Sequence, residues 1–281
     1  MTTVTPVLVG FGIGTVVVAV SRYRGADLYP VWSALALGLT CSAGGVFVLG
    51  VHQWRCLPDE ERRSRREVGT VAGIVMLATV LNLVATVALD SRPGAWRGPV
   101  LVGAAFLGAT PMVCVSYAVW RVSRDDRDSM AAGELTDWLL ARRRSLRPLL
   151  ASLGALVALS TLTMGAAVRM EGQLVKAHDM APANAAPPEF VLIFGAMSSL
   201  IVAIVYVPTA LGLRRQARLL AARLFTLTGT DEPPVLLERA EQRAKFEQIM
   251  GAETGLFGEL QAGIVVLAPL LASAITIWLP H

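Results

Sequence analysis

Charge is scarce in this chain. Of 281 residues only 16% are charged while 54% are hydrophobic, against roughly 25% and 45–50% in soluble domains. Lysine is confined to Lys176 and Lys245. The cysteines, Cys41, Cys56 and Cys114, are odd in number and show no zinc or redox spacing, so no disulfide is expected. His52, His178 and His281 are dispersed, and cannot readily share a metal or build one catalytic group. Gly195-Ala196-Met197-Ser198 has the outline of a serine elbow, but the one histidine that reaches an apolar run, His52, stands at the very end of it and is not placed to act as its base. Neither a Walker-type glycine loop nor a dinucleotide fingerprint occurs. Catalysis, a metal and a cofactor are therefore not expected.

What the chain has instead is long apolar runs. Residues 4–21, 31–52, 68–89, 99–120, 148–168, 190–213 and 260–280 each approach the ~20 residues needed to cross hydrocarbon, and none contains Lys, Arg, Asp or Glu. The expected fold is all-α: a polytopic transmembrane bundle of seven spans forming one membrane domain over 1–281. Residues 214–259 form a cytoplasmic helical insertion between the last two spans. Without an intramembrane carboxylate, proton-coupled transport is disfavoured. A retinal pigment is excluded by the absence of a Schiff-base lysine from the last span.

Orientation follows from the arginines. The linkers after spans two, four and six hold 19 of the 25 basic residues, and those after spans one, three and five hold 2 each. The positive-inside bias places the N-terminus in the cytoplasm and His281 outside, in the inner cell membrane. Arg22 and Arg24 after span one oppose this and are outvoted. The basic excess, +4 overall, reads as topology plus anionic headgroups of the lipid bilayer rather than nucleic-acid binding. Trp32, Trp54, Trp96, Trp120 and Trp278 mark span ends as an interfacial belt. No cleavable signal peptide is expected, because span one has no basic n-region.

Local signals refine this outline. Gly10 and Gly14, like Gly69 and Gly73, are spaced for close helix approach within the chain. Pro58-Asp59-Glu60-Glu61 reads as a helix start, Ser145 to Pro148 as the start of span five and Pro187-Pro188-Glu189 as that of span six. Leu135, Trp138 and Leu139 beside Arg142-Arg143-Arg144 fit either a short helix in the inner headgroup layer or the lead-in to span five. Arg169 to Glu189 reads as a solvated outer loop. At an offset of 81, Arg62-Arg63-Ser64 matches Arg143-Arg144-Ser145 and Gly73 matches Gly154, a faint parallel repeat that chance also explains. Pro111, Pro208 and Pro269 are candidate kinks.

Two candidate sites emerge. The first is an intramembrane polar cluster of Thr79, Asn82, Thr86, Ser160 and Thr163, read as helix-to-helix glue in preference to a pore lining. The second is the basic extension of span six, Arg214, Arg215, Arg218 and Arg223, a candidate for cytoplasmic docking or lipid headgroups. No Gly or Pro follows Leu213 before Gly229, so that helix should leave the bilayer unbroken. Pro234 to Met250 then returns as a second helix, with Glu241 and Lys245 as an i, i+4 pair. Its Leu236, Leu237, Ala240 and Ala244 should cover Ala217, Leu220, Ala221 and Leu224. The leading expectation is a non-catalytic membrane protein whose cytoplasmic helices couple to a protein partner. The alternative is a channel or transporter for a small uncharged solute. The sequence leaves oligomeric state, substrate and partner open.

Overall fold

The computed structural model describes residues 4–21, 26–62, 69–77, 79–80, 84, 96–125, 130–177, 189–226 and 233–250. Its helices are α1 (Thr5–Ala19), α2 (Tyr29–Arg55), a single turn α3 (Asp59–Arg62), α4 (Arg97–Arg124), α5 (Ala132–Ala177), α6 (Glu189–Leu224) and α7 (Pro233–Ile249). Residues 69–77 and 79–80 are helical as well. Among the described residues, four stretches are long and apolar enough to cross a membrane: Tyr29–Arg55, Arg97–Arg124, Ala132–Val175 and Val191–Leu224. Helix α1 is equally apolar but only 15 residues long. These helices mark a membrane protein. The expected span 260–280 lies outside the described residues, as does much of span 68–89.

Small residues decide how closely the helices approach. A Cβ on Gly10 would collide with the Thr40 carbonyl, and one on Gly44 with the backbone of Pro6 and Val7. Residue numbers rise on one helix as they fall on the other, so α1 and α2 are antiparallel. Gly50 meets Pro111 and Met112, and Gly108 meets Ala43, so α2 and α4 run parallel. The expected close approach at Gly10 and Gly14 is thus within the chain, whereas Gly69 and Gly73 face open space. Backbone contact of this kind substitutes for the hydrophobic drive that lipid does not provide.

The seam between α4 and α6 is read from hydrogen bonds. Thr209 Oγ1 donates to the Ser116 carbonyl at 3.1 Å and Gln216 Nε2 to the Ser123 carbonyl at 2.9 Å. The donors are seven residues apart and so are the acceptors, which two parallel helices produce at an interval of two turns. Gln216 Nε2 also reaches the Asp125 carbonyl at 3.1 Å, beyond the end of α4.

Polar clasps gather at the two ends of this arrangement. At one end, Tyr29 Oη donates to Val18 O at 3.1 Å and Arg97 Nη2 to Val20 O at 2.8 Å, satisfying carbonyls that the end of α1 leaves without helical partners. At the other end lie Gln216 with its carbonyls and, from α3 and α5, Glu61 with Trp138 and Arg142.

Several local expectations change. Helix α5 is continuous over 46 residues with Pro148 inside it. Residues 135–144 are therefore the lead-in to the span, not a separate helix lying in the headgroup layer, and Ser145 to Pro148 starts nothing. Packing on both sides of Pro148 holds the helix together through it, with Leu146 before it and Leu149 and Leu150 after it all buried. The helix also runs on to Ala177, so the loop expected from Arg169 begins later, with Val168, Met170 and Val175 buried. Trp32, near the start of α2, is packed within the protein: it is 2% exposed and tilts against Tyr29 at 6.2 Å between ring centroids. Helix α6 starts at Glu189, where the Pro187-Pro188 signal places it.

Candidate functional site

Of the intramembrane polar cluster, Thr79, Ser160 and Thr163 are buried, while Asn82 and Thr86 lie outside the described residues. The threonine hydroxyls turn inward on their own helices. Thr79 Oγ1 donates to Val75 O at 2.8 Å, Thr161 Oγ1 to Val157 O at 2.9 Å and Thr163 Oγ1 to Leu159 O at 2.6 Å. This i−4 bonding satisfies each donor without a partner helix. Among the described residues these threonines show no bond to another helix; the interhelical side-chain bonds come from Tyr29, Arg97, Trp138, Thr209 and Gln216. Ser160 instead borders a cavity of about 290 Å³ with Ser198, amid aliphatic and aromatic walls that include Val75, Phe106 and Phe194. Two hydroxyls in such a setting favour an apolar occupant over a hydrated ion.

The basic extension of α6 keeps its helical form past the last apolar residue of the span. Leu213, Ala217, Leu220 and Ala221 are buried while Arg215, Arg218 and Arg223 are exposed, as helical periodicity requires. Two positions depart from the pattern. Arg214 is only 8% exposed and Leu224 is 43% exposed. Arg214 precedes Arg215 by ~100° of helical turn, which carries it from the open face toward the packed one.

Helix α7 folds back toward the end of α6, but through a different seam from the one expected. Phe246 packs on Phe225 with ring centroids 5.9 Å apart, and Arg239 Nη1 donates to Thr226 O at 3.2 Å. Met250 is buried in the core cluster that also holds Ala217 and Leu220. Leu237 is 66% exposed, and Ala240 and Ala244 are exposed, so the cover assigned to those three does not form. The larger apolar side chains near the helix end win, because Phe246 and Met250 reach further than alanine. An ion pair on α7 joins Arg243 to Glu247 at 2.8 Å, two residues further along than the expected Glu241–Lys245 pairing.

Between α6 and α7 lies a half-open groove of about 360 Å³. Arg214, Arg215, Arg218 and Arg243 line it, with Leu211 and Leu219 at its margin. Arg223, part of the same sequence cluster, does not. Four guanidiniums around one opening create a positive potential suited to a phosphate or carboxylate, which arginine meets with paired donors.

The group the sequence reading missed is a buried ionic joint between α3 and α5. Trp138 Nε1 donates to Glu61 Oε1 at 2.7 Å, and Arg142 Nη2 lies 3.2 Å from the same oxygen. Glu61 is 4% exposed and Arg142 7%. Glu61 Oε2 and Arg142 Nε have no hydrogen-bond partner among the described residues. Leu57, Leu135, Leu139 and Leu146 are buried in the same core cluster, so charge is held here in an apolar setting. Its signal in the sequence was the i, i+4 placement of Trp138 and Arg142 on the face of Leu135 and Leu139. Only the acid's identity was hidden, because Glu61 belongs to a linker 77 residues earlier.

Among the described residues no group of three or more His, Cys, Asp or Glu is placed to hold a metal ion. Cys56 Sγ lies 3.7 Å from His52 Nε2 at the end of α2, a contact one turn apart that any helix would give. No family model matches the chain, and it matches neither a curated protein nor a solved structure.

Proposed function

We propose that this chain is a seven-span protein of the inner cell membrane, N-terminus inside and His281 outside, that catalyses nothing and couples to a protein partner through residues 214–259. The topology rests on the uneven arginine distribution, and it agrees with antiparallel α1 and α2 and with parallel α2 and α4. The observation that carries the coupling role is α7. It is anchored at its far end by Phe246 and Met250, while Val235, Leu237 and Ile249 are 39%, 66% and 75% exposed. Large apolar side chains held out on an anchored helix are what a helix-binding partner grips. A photocrosslinking residue in place of Leu237 should give a discrete protein adduct in native membranes, absent when the probe replaces the exposed Glu134. The same adducts at both positions, or adducts with lipid alone, would overturn the coupling role.

A second reading, transport of a small uncharged solute, draws on the cavity of about 290 Å³ bordered by Ser160 and Ser198. Filling it with Ser160→Phe would then abolish solute flux into proteoliposomes. Unchanged flux would remove that reading.

A further inference from the structure

We infer that the groove between α6 and α7 binds the phosphate headgroup of an anionic phospholipid whose acyl chain lies along α6. The first observation is the convergence of Arg214, Arg215, Arg218 and Arg243 on one opening. The second is independent and concerns the face above it. Ile193, Ile204 and Leu211 are 62%, 63% and 50% exposed. At ~100° per residue they lie within a narrow stripe, and continuing that stripe along the helix brings up Arg215 and Arg218. An apolar face that passes without a break into guanidiniums has the polarity of a lipid with its phosphate downward.

The remaining geometry agrees. Leu211 and Leu219 at the margin provide the change from hydrocarbon to headgroup. At ~30 Å³ per water, the groove has room for about a dozen waters, hence for a phosphate with its glycerol. Arg223 is turned ~100° away from the stripe, which explains why it does not line the groove. The charge balance also favours an anion. Glu247 takes up charge at Arg243 alone, and among the described residues the opening is lined by four arginines and no acid. Basic pockets at the inner end of spanning helices are recognised by lipid phosphates through charge and paired hydrogen bonds.

The shared chemistry, a phosphate oxyanion, is also that of free phosphate, and the test separates the two sources. The inference rests on the proposed topology only for which leaflet supplies the lipid. Binding in detergent is indifferent to sidedness, so an inverted topology would leave these results unchanged. Full-length protein is titrated with phosphatidylglycerol, with phosphatidylcholine of the same chains, and with inorganic phosphate, and bound lipid is counted by native mass spectrometry. Phosphatidylglycerol should bind in preference to phosphatidylcholine. Arg215→Gln, Arg218→Gln and Arg243→Gln should each weaken it about fivefold, while Arg223→Gln leaves it unchanged. Equal loss in all four variants would show diffuse surface attraction and overturn the site. So would equal binding of the two lipids, or displacement of phosphatidylglycerol by millimolar phosphate.

Discussion

Glu61 is the residue on which the basic end of the bundle turns. A carboxylate shared by an indole N–H and a guanidinium in an apolar surround is expensive to desolvate, and is retained only because both partners are in place. Removing one partner therefore costs more than the pair contributes. Glu61→Ala should destabilise the detergent-solubilised protein by about 3–5 kcal/mol, because Arg142 is left buried without its counter-charge. Trp138→Phe should cost less, about 1.5–3 kcal/mol for one hydrogen bond to a charged group. Replacing Glu61 and Arg142 together by leucine should recover much of the loss. Chemical unfolding curves would give the order, and a double variant as unstable as Glu61→Ala would show that the joint is not acting as an ion pair. Arg142 was visible in the sequence only as one arginine of a run. Burial separated it from Arg144, which is exposed, and no composition rule distinguishes neighbours of the same type.

At the scale of elements, the continuity of α6 joins the membrane to its surface. Leu220 is fully buried on the extension, in the same core cluster as Met250 of the returning segment. Leu220→Asp should therefore loosen both α6 beyond Leu213 and α7 in a single transition. The packing loss alone is about 2–5 kcal/mol, enough to raise amide exchange across 214–224 and 234–250 together. Exchange that rises in the first segment while the second stays protected would mean that α7 is held by something other than α6. The helix itself was legible, because nothing between Leu213 and Gly229 breaks it. Its partner face was not. Alanine and leucine at 236, 237, 240 and 244 satisfy the periodicity as well as Phe246 and Met250 do, and only the angle at which α7 returns selects between them.

For the whole molecule, helix direction and charge make one claim about sidedness. Cysteines introduced at Lys176 and Lys245, in a background lacking Cys41, Cys56 and Cys114, should label from opposite sides of the membrane, Lys245 from the cytoplasm. Labelling of both from one side would end the topology. The contacts supply a second constraint: α2 and α4 are parallel, as are α4 and α6, so their basic ends emerge on a common surface. That surface carries Arg121 and Arg124 of α4 as well as the arginines of α6, in keeping with the segregation of charge along the chain.

The sequence by itself determined that this protein is helical and apolar enough for a membrane, where α2 and α6 run, and that α6 outlasts its span. Those properties depend on hydrophobicity and backbone propensity summed along one segment, which need no knowledge of neighbours. Only the tertiary structure decided that Glu61 meets Trp138 and Arg142, that Trp32 is buried, and that the buried threonines bond their own helices. It also brought Arg243 to the arginines of α6 and left Arg223 out. Each of these depends on which helix lies against which and at what rotation, a choice made by close packing at glycines and by pairing of buried polar groups between segments far apart in the chain.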